Sequence, residues 1–403
     1  MRNKPVWNWH TLVHVCRRWR QVVFASPIRL DLQLLCTYGT PVRKDLGCWP
    51  AFPIVIDYSF RSLDSEDNVI AALEHPSRVR RIKLTVTNTL WRKLATFMQE
   101  PFPALTHLSI FSAETNVPLL PSRFLGGSAP YLRELRFHGM PTLALPTLLS
   151  SAGNLVNLVL SDCDIPQDDY AALVTSLAML PRLNNLSIAF VPCADHWQIH
   201  PLPETRAVLP ALTSFTFDGE STFLEDFVSQ IDTPLLNFID ITFLHFPDAQ
   251  IPQLSEFINR SALKLSRFRD AKIYFDDGDT IYIFLGPGVV PDAFPIAIHI
   301  TSCEGTYDQV SCMAQMLSQT PAMLSNVVHL EIKAERPYRL EDDYEELDSI
   351  DWLELLRPFT AVETLHVSHE FSVMVAHALE EMPAETANQV LPALYSLLLD
   401  KHT

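Results

Sequence analysis

Glycine is scarce in this chain, with 11 residues against 30 prolines. No G-x-G-x-x-G, G-x-x-x-x-G-K-[ST] or G-x-S-x-G occurs anywhere in it. Phosphate-cradling loops and the elbow of a serine hydrolase need glycine where backbone turns sharply or approaches a ligand, so both chemistries lack their usual footing. H-E-x-x-H is also missing. Its nearest counterpart is His366, His369 and Glu370, and histidines three apart on a strand point to opposite faces. The seven cysteines are scattered, with no C-x-x-C. An odd count at irregular spacing argues against a disulfide framework, and Cys303 and Cys312 lie too far apart for a zinc knuckle. Buried free thiols in a reducing compartment, the cytoplasm or nucleus, are expected instead.

Long apolar runs are lacking too. The most apolar stretch, 280–300, is interrupted by Gly286, Pro287, Gly288, Pro291, Asp292 and Pro295, well short of the ~18 continuous residues a membrane helix needs. Arg17, Arg18 and Arg20 follow the amino terminus too soon for a secretory signal. Positive charge is in deficit: 30 Lys and Arg against 47 Asp and Glu, a formal net charge of −17. Nucleic acid and anionic membranes are therefore poor partners. No motif calls for a cofactor or metal, and the chain is not expected to be an enzyme.

What the sequence does contain is a phrase that returns. It reads Pro-x-Leu-x-x-Leu-x-Leu, as PALTHLSI at 103–110, PYLRELRF at 130–137, GNLVNLVL at 153–160 and PRLNNLSI at 181–188. It continues as PALTSFTF at 210–217, PLLNFIDI at 234–241, SNVVHLEI at 325–332, TAVETLHV at 360–367 and PALYSLLL at 392–399. The last two apolar residues sit two apart and face one side of a strand, with the residue between them facing the other. Leu158 and Leu160 thus point inward and Val159 outward. Cys163 and Ile165 then complete the pattern L-x-x-L-x-L-x-x-N/C-x-L of a leucine-rich repeat. The central apolar position recurs at Ile82, Leu108, Leu135, Leu158, Leu186, Phe215 and Ile239. It is expected near Ala271 and Ile298, then at Leu330, Leu365 and Leu397. The steps run from 23 to 35 residues, and the longer ones leave room for a helix.

Proline falls before many of these strands, at Pro103, Pro130, Pro181, Pro210, Pro234 and Pro392. It cannot continue a helix and disfavours one at the preceding residue, so it ends each outer helix and starts the next strand. Residues 168–180 illustrate the helix: Tyr170, Leu173, Val174, Leu177 and Leu180 recur at three and four. The expected fold is an α/β leucine-rich-repeat solenoid, with parallel strands on the concave face and helices on the convex face. An ordinary α/β domain is the alternative. Asp276, Asp277, Gly278 and Asp279, between two apolar alternating runs, read as a hairpin turn inside an irregular region near 265–300. They lack the spacing and closing Glu of a calcium loop. The acidic run at 341–346 reads as a solvated loop and helix start, or as a docking patch for a basic partner.

Residues 7–27 read as one helix, with Trp9, Leu12, Val13, Cys16, Trp19 and Val23 on one side, ending at Ser26 and Pro27. Leu12, Val13, His14, Val15, Cys16, Arg17, Arg18, Trp19 and Arg20 resemble the second half of an F-box, L-x-x-V-C-[KR]-x-W-[KR]. The continuation at 36–58 is similar to fungal F-box proteins that carry leucine-rich repeats. The resemblance implies a partial F-box over 1–35, its first helix missing, then a linker and cap over 36–75 and repeats over 76–403. It further implies a substrate-recognition subunit of a Skp-cullin-F-box ubiquitin ligase. Leu12, Val15, Cys16 and Trp19 would contact the Skp-type adaptor, and the repeats would hold a protein substrate. The outward x positions supply the expected substrate surface: His107, Arg133, Glu134, Arg136, Asn157, Asn184, Asn185, Asn237, Asp240, His329, Glu331, Glu363 and His366. A repeat scaffold with no ubiquitin link is the alternative function.

Overall fold

A computed structural model describes residues 13–25, 32–37, 42–48, 50–58, 66–112, 114, 119–141, 144–163, 167–190, 201, 203–244, 251–263, 268–276, 280–287, 294–301, 305–334, 349–382 and 389–400. Trp9, Leu12, Asp277 to Asp279 and the acidic run at 341–346 lie outside the described residues. The chain divides into two compact units, Met1–Leu180 and Pro181–Thr403.

In the first unit, six strands pair in chain order: β1 (Leu34–Cys36), β2 (Ile54–Tyr58), β3 (Val79–Val86), β4 (His107–Ser112), β5 (Glu134–His138) and β6 (Asn157–Ser161). All these pairings are parallel. The register aligns Cys36, Ile56, Ile82, Leu108, Leu135 and Leu158 in one row, and Tyr58, Leu84, Ile110, Phe137 and Leu160 in a second. Every member is buried. Full burial of a Leu, Ile or Phe side chain is worth about 1.5–3 kcal/mol, so these rows form the spine of the unit.

The helices that accompany them among the described residues include α1 (Arg17–Ala25), α2 (Val42–Cys48), α3 (Glu66–Leu73), α4 (Asn88–Phe97), α5 (Leu145–Ser151) and α6 (Gln167–Ala178). Thr87 caps α4, its hydroxyl accepting the Leu90 N–H at 3.3 Å. Trp91 of α4 meets Phe124, which meets Phe137 of β5, each pair with ring centroids 6.2 Å apart. The helices thus cover the face that carries the inward rows. Tyr170, Leu173, Val174, Leu177 and Leu180 are all buried, as the periodicity of α6 requires.

The second unit begins in the same way. Strands β7 (Asn185–Ala189), β9 (Ser214–Gly219) and β11 (Phe238–Leu244) are parallel neighbours. Strands β8 (Ala207–Val208) and β10 (Ile231–Asp232) form a small separate pair. Then the order breaks. After β11 the sheet runs β14 (Ile296–Thr301), β13 (Thr280–Gly286), β12 (Asp270–Phe275), β15 (His329–Ala334), β16 (Thr364–Val367) and β17 (Ser396–Leu399). β13 is antiparallel to both of its neighbours. The hairpin expected around Asp276 is therefore present, with the Asp276 N–H donating to the Thr280 carbonyl at 3.1 Å. β14 returns to the edge of β11 that β12 skipped.

The inward row crosses this insertion unbroken: Leu186, Phe215, Ile239, Ile296, Leu285, Ala271, Leu330, Leu365 and Leu397. Ala271 holds the expected position. Ile298 does not; Ile296 does, and Ile298 lies in the adjoining row opposite Ile241. Both are apolar with inward parity, so alternation alone could not choose between them. The helices are α7 (Ser221–Gln230), α8 (Pro252–Arg260), α9 (Gly305–Ser318), α10 (Pro321–Leu324), α11 (Ser349–Leu356) and α12 (His369–Glu380). Phe215 stacks on Phe227 of α7 at 5.7 Å, and Phe275 lies 5.9 Å from Trp352 of α11 and 4.8 Å from Phe371 of α12.

The prolines act one step differently from the expectation. Leu105 donates its N–H to Phe102, Leu132 to Ala129, Leu212 to Leu209, Leu236 to Thr233 and Leu394 to Leu391. Pro103, Pro130, Pro210, Pro234 and Pro392 each occupy the second position of that four-residue turn, where a fixed φ is favoured and the donor is not needed. The corner then locks to the preceding repeat: Val156 and Asn157 both donate to the Arg133 carbonyl, and Thr213 and Ser214 to that of Asn184. Within this frame Cys163 is a small buried side chain, its thiol donating to Ser161 and Phe137 carbonyls at 3.4 and 3.7 Å. Burial pushes that thiol up to about 12.

Candidate interaction surface

Strand alternation that sends one row toward the helices sends the next to the opposite face. In the first unit that face carries Arg81, His107, Glu134 and Asn157 in one register row, and Lys83, Ser109, Arg136 and Val159 in the next. Glu134 Oε1 accepts the Arg136 Nε–H at 2.6 Å, and His107 Nε2 is 4.0 Å from Glu134 Oε2. Burial, together with nearby Arg81, lowers the His107 proton affinity despite Glu134. His107, Glu134 and Arg136 are thus brought together, with Asn157 beside them.

In the second unit the corresponding row reads Ser187, Thr216, Asp240, Ala297, Phe284, Lys272, Glu331, His366 and Leu398. Its neighbour reads Ala189, Asp218, Thr242, His299, Tyr282, Tyr274 and Lys333. Glu331 is the hub of a charge network. It pairs with Lys333, sits 3.4 Å from Lys272 Nζ and 3.4 Å from His366 Nδ1. The other ring nitrogen of His366 lies 2.9 Å from Asp400 Oδ1. Burial works to raise the Glu331 carboxyl, but the ammonium groups of Lys333 and Lys272 outweigh it and hold it below its ordinary value. Bonding to His366 likewise holds Asp400 down.

Asp240, Glu331 and His366 therefore share one row, although Asp240 is separated from the other two by the inserted hairpin. Asn185 begins β7, on the register row of Ser214 and Phe238, and His329 begins β15. Arg133, Asn184, Asn237 and Glu363 fall elsewhere, at the corner just before a strand. Three of them are building parts there: the Arg133, Asn184 and Glu363 carbonyls anchor the next repeat, and the Asn184 amide donates to the Ala211 carbonyl at 3.3 Å.

The hairpin adds what the repeat phrase could not announce. The Tyr282 and Phe284 rings are nearly parallel, 6.3 Å apart, and Tyr274 meets Phe284 edge-on at 5.8 Å. His299 stands edge-on to Tyr282 at 4.8 Å, and Lys272 Nζ lies 5.0 Å above the Phe294 ring. All five aromatic residues are half-buried. Alternation in AKIYF, TIYIF and IAIHI carried the signal: Lys272, Tyr274, Tyr282, Phe284 and His299 all have outward parity. Among the described residues, no group of three or more His, Cys, Asp or Glu is placed to hold a metal ion. No helix among them is long and apolar enough to cross a membrane.

At the amino end, α1 splits the expected stripe. Val13 and Val23 are buried, but Cys16 and Trp19 are not. Trp19 and Val22, three apart on α1, are 50% and 58% exposed, and Val15, before the helix break, is 63% exposed. The helix break falls at Cys16, whose carbonyl accepts the Arg20 N–H at 3.1 Å.

No family model matches the chain, and no curated protein matches it. Among solved structures it is similar to the leucine-rich repeat-containing protein LegL7 of Legionella pneumophila, with 12% identity over 92% of this chain and 91% of that one. The TM-score is 0.25, too low to compare residue positions. The mixed α/β repeat architecture rests on the strand register itself.

Proposed function

We propose that this protein is a non-catalytic substrate-recognition subunit of a Skp-cullin-F-box ubiquitin ligase, binding a protein through its strand face and a Skp-type adaptor through its amino-terminal helix. The observation that carries the ligase assignment is the exposure of Val15, Trp19 and Val22, which fall within and just beyond the segment that resembles an F-box. Apolar side chains left exposed on a helix suit a groove on another protein. Val15, Cys16 and Trp19 of the expected adaptor contacts are all exposed; Leu12 lies outside the described residues.

Support for protein binding comes from the strand face: alternating charges, amides and half-buried aromatics with no chemistry confined to one point. Such a lattice suits an extended protein partner rather than a small metabolite. A net charge of −17 leaves nucleic acid and anionic membranes outside this reading, and no cofactor is invoked.

The test is affinity capture of the tagged full chain from cells, read by mass spectrometry. Adaptor and cullin co-purifying is the expected result. Capture of other proteins without either would leave a repeat scaffold and end the ligase assignment.

A further inference from the structure

We infer that the face of β9, β11, β14 and β13 is a docking site for an arginine side chain presented by a peptide segment of the protein partner. This rests on the protein-binding function proposed above and adds the chemistry of what is bound.

Three features of the patch point to a planar cation. The first is its charge. Strands β9, β11, β13 and β14 contain no Lys or Arg, and their outward positions include Asp218 and Asp240. Burial lowers the proton affinity of His299, and Asp240 and Asp218 oppose that shift without reversing it. The nearest cation on the adjoining strand, Lys272, is already engaged with Glu331 and the Phe294 ring.

The second feature is the aromatic wall beside the carboxylates. His299 Nε2 lies 3.5 Å from Asp240 Oδ1, and the same ring stands 4.8 Å from Tyr282 and 5.9 Å from Phe284. Aromatic faces next to carboxylates attract cations through the ring quadrupole and the full charge together. Guanidinium fits this pairing better than ammonium: it stacks flat on a ring, forks to a carboxylate and sheds water more readily.

The third is an internal precedent one strand away. There Lys272 places its cation over the Phe294 ring at 5.0 Å while pairing with Glu331 at 3.4 Å. The chain itself thus satisfies one ring-plus-carboxylate arrangement with a cation. Beside it, Asp240 and Phe284 set a second carboxylate and ring on strands whose sequences carry no Lys or Arg.

The experiment selects short random peptides on the immobilised full chain, then measures the best binder by fluorescence anisotropy, with its arginine intact or replaced by citrulline or lysine. Arginine enrichment is expected on the wild-type chain, with about tenfold weaker binding of the citrulline peptide and a smaller loss for lysine. Asp240→Asn, nearly isosteric, and Tyr282→Leu, which keeps an apolar strand residue, should each erase the preference for arginine over citrulline. Lys93→Ala, an exposed position on α4 away from the strand face, should leave it intact. Thermal melts confirm that each variant folds. Selected peptides without arginine dependence, or an unchanged preference in both patch variants, overturn the inference while leaving protein binding in place. Failure of the wild-type chain to retain any peptide also overturns it; the affinity capture above then decides separately whether the broader function stands.

Discussion

Glu225 on α7 reaches across to the first turn of α8 and accepts the backbone N–H groups of Gln253 at 2.7 Å and Leu254 at 2.8 Å. A carboxylate from one repeat thereby caps the helix of the next, where the orphan donors and the positive dipole end favour an acceptor. Ile251, at the cap position itself, offers no side-chain oxygen. Burial pushes the Glu225 carboxyl up from 4.5 to about 7, against the pull of the two amides. The native state therefore holds this proton more tightly than the unfolded chain does. The associated stability is complete below about 4.5 and is lost as pH rises through about 7. Glu225→Gln should flatten that decline in denaturant titrations run across the interval. Glu225→Ala should cost about 1–3 kcal/mol at any pH, because two buried donors lose their acceptor. An unchanged pH slope in the Gln variant would contradict the coupling.

Leu158 tests the shared interior. It is fully buried, with Leu135 as its register partner on β5. Leu158→Ala should destabilise by about 2–5 kcal/mol, measured by chemical unfolding. A loss below about 1 kcal/mol would mean that the row does not bear the load assigned to it. Val159, on the opposite face, should tolerate Ala within about 1 kcal/mol.

Leu158 and Val159 also mark what could be read without coordinates. Each copy of the phrase is short and strictly alternating, so face and strand followed from parity at the repeats up to β16; on β17, Leu397 and Leu399 keep inward parity but are 40% and 39% exposed. The boundary case was Ile296 against Ile298, where two inward-parity residues compete and only pairing with β11 decides. The aromatic patch was hidden for a different reason. Tyr282 and Phe284 sit on a strand outside the repeat phrase, and their meeting with His299 depends on the hairpin reversing the spatial order of β12, β13 and β14. Arg133 and Asn184 were misplaced because the turn and strand join at a corner where simple alternation does not extend. Glu225 gave no local sign at all, since its partners lie on another helix.

Gly126 offers a backbone test. It adopts φ +70°, and a Cβ built there would fall 2.9 Å from the backbone of Pro101. Leu125 just before it has φ 53° and donates its N–H to the Met98 carbonyl at 2.7 Å, pinning the segment to the end of α4. Neither the conformation nor the approach leaves room for a side chain. Gly126→Ala should therefore lower stability by about 1–3 kcal/mol. Gly127 also has a positive φ, but no atom lies within 4 Å of its Cβ position. Its Ala variant should lose less than the Gly126 variant, and equal losses in calorimetry would remove the steric part of the argument.

Trp19 separates docking from folding. At 50% exposure on the outer face of α1, beside exposed Val22, it contributes little to the core of its unit. Trp19→Ala should shift stability by no more than about 0.5 kcal/mol. Exposed tryptophans that anchor an interface commonly cost 2 kcal/mol or more when truncated, roughly a thirtyfold loss of affinity. The two measurements are thermal denaturation of the variant and titration with purified Skp-type adaptor. Weak adaptor binding with an unchanged melting curve is the expected combination. Unaltered binding would remove Trp19 from the interface, and a collapsed melting curve would make it a packing residue. Val23, which is 2% exposed on the same helix, supplies the contrast: its Ala variant should lower stability measurably and affect binding only through that loss.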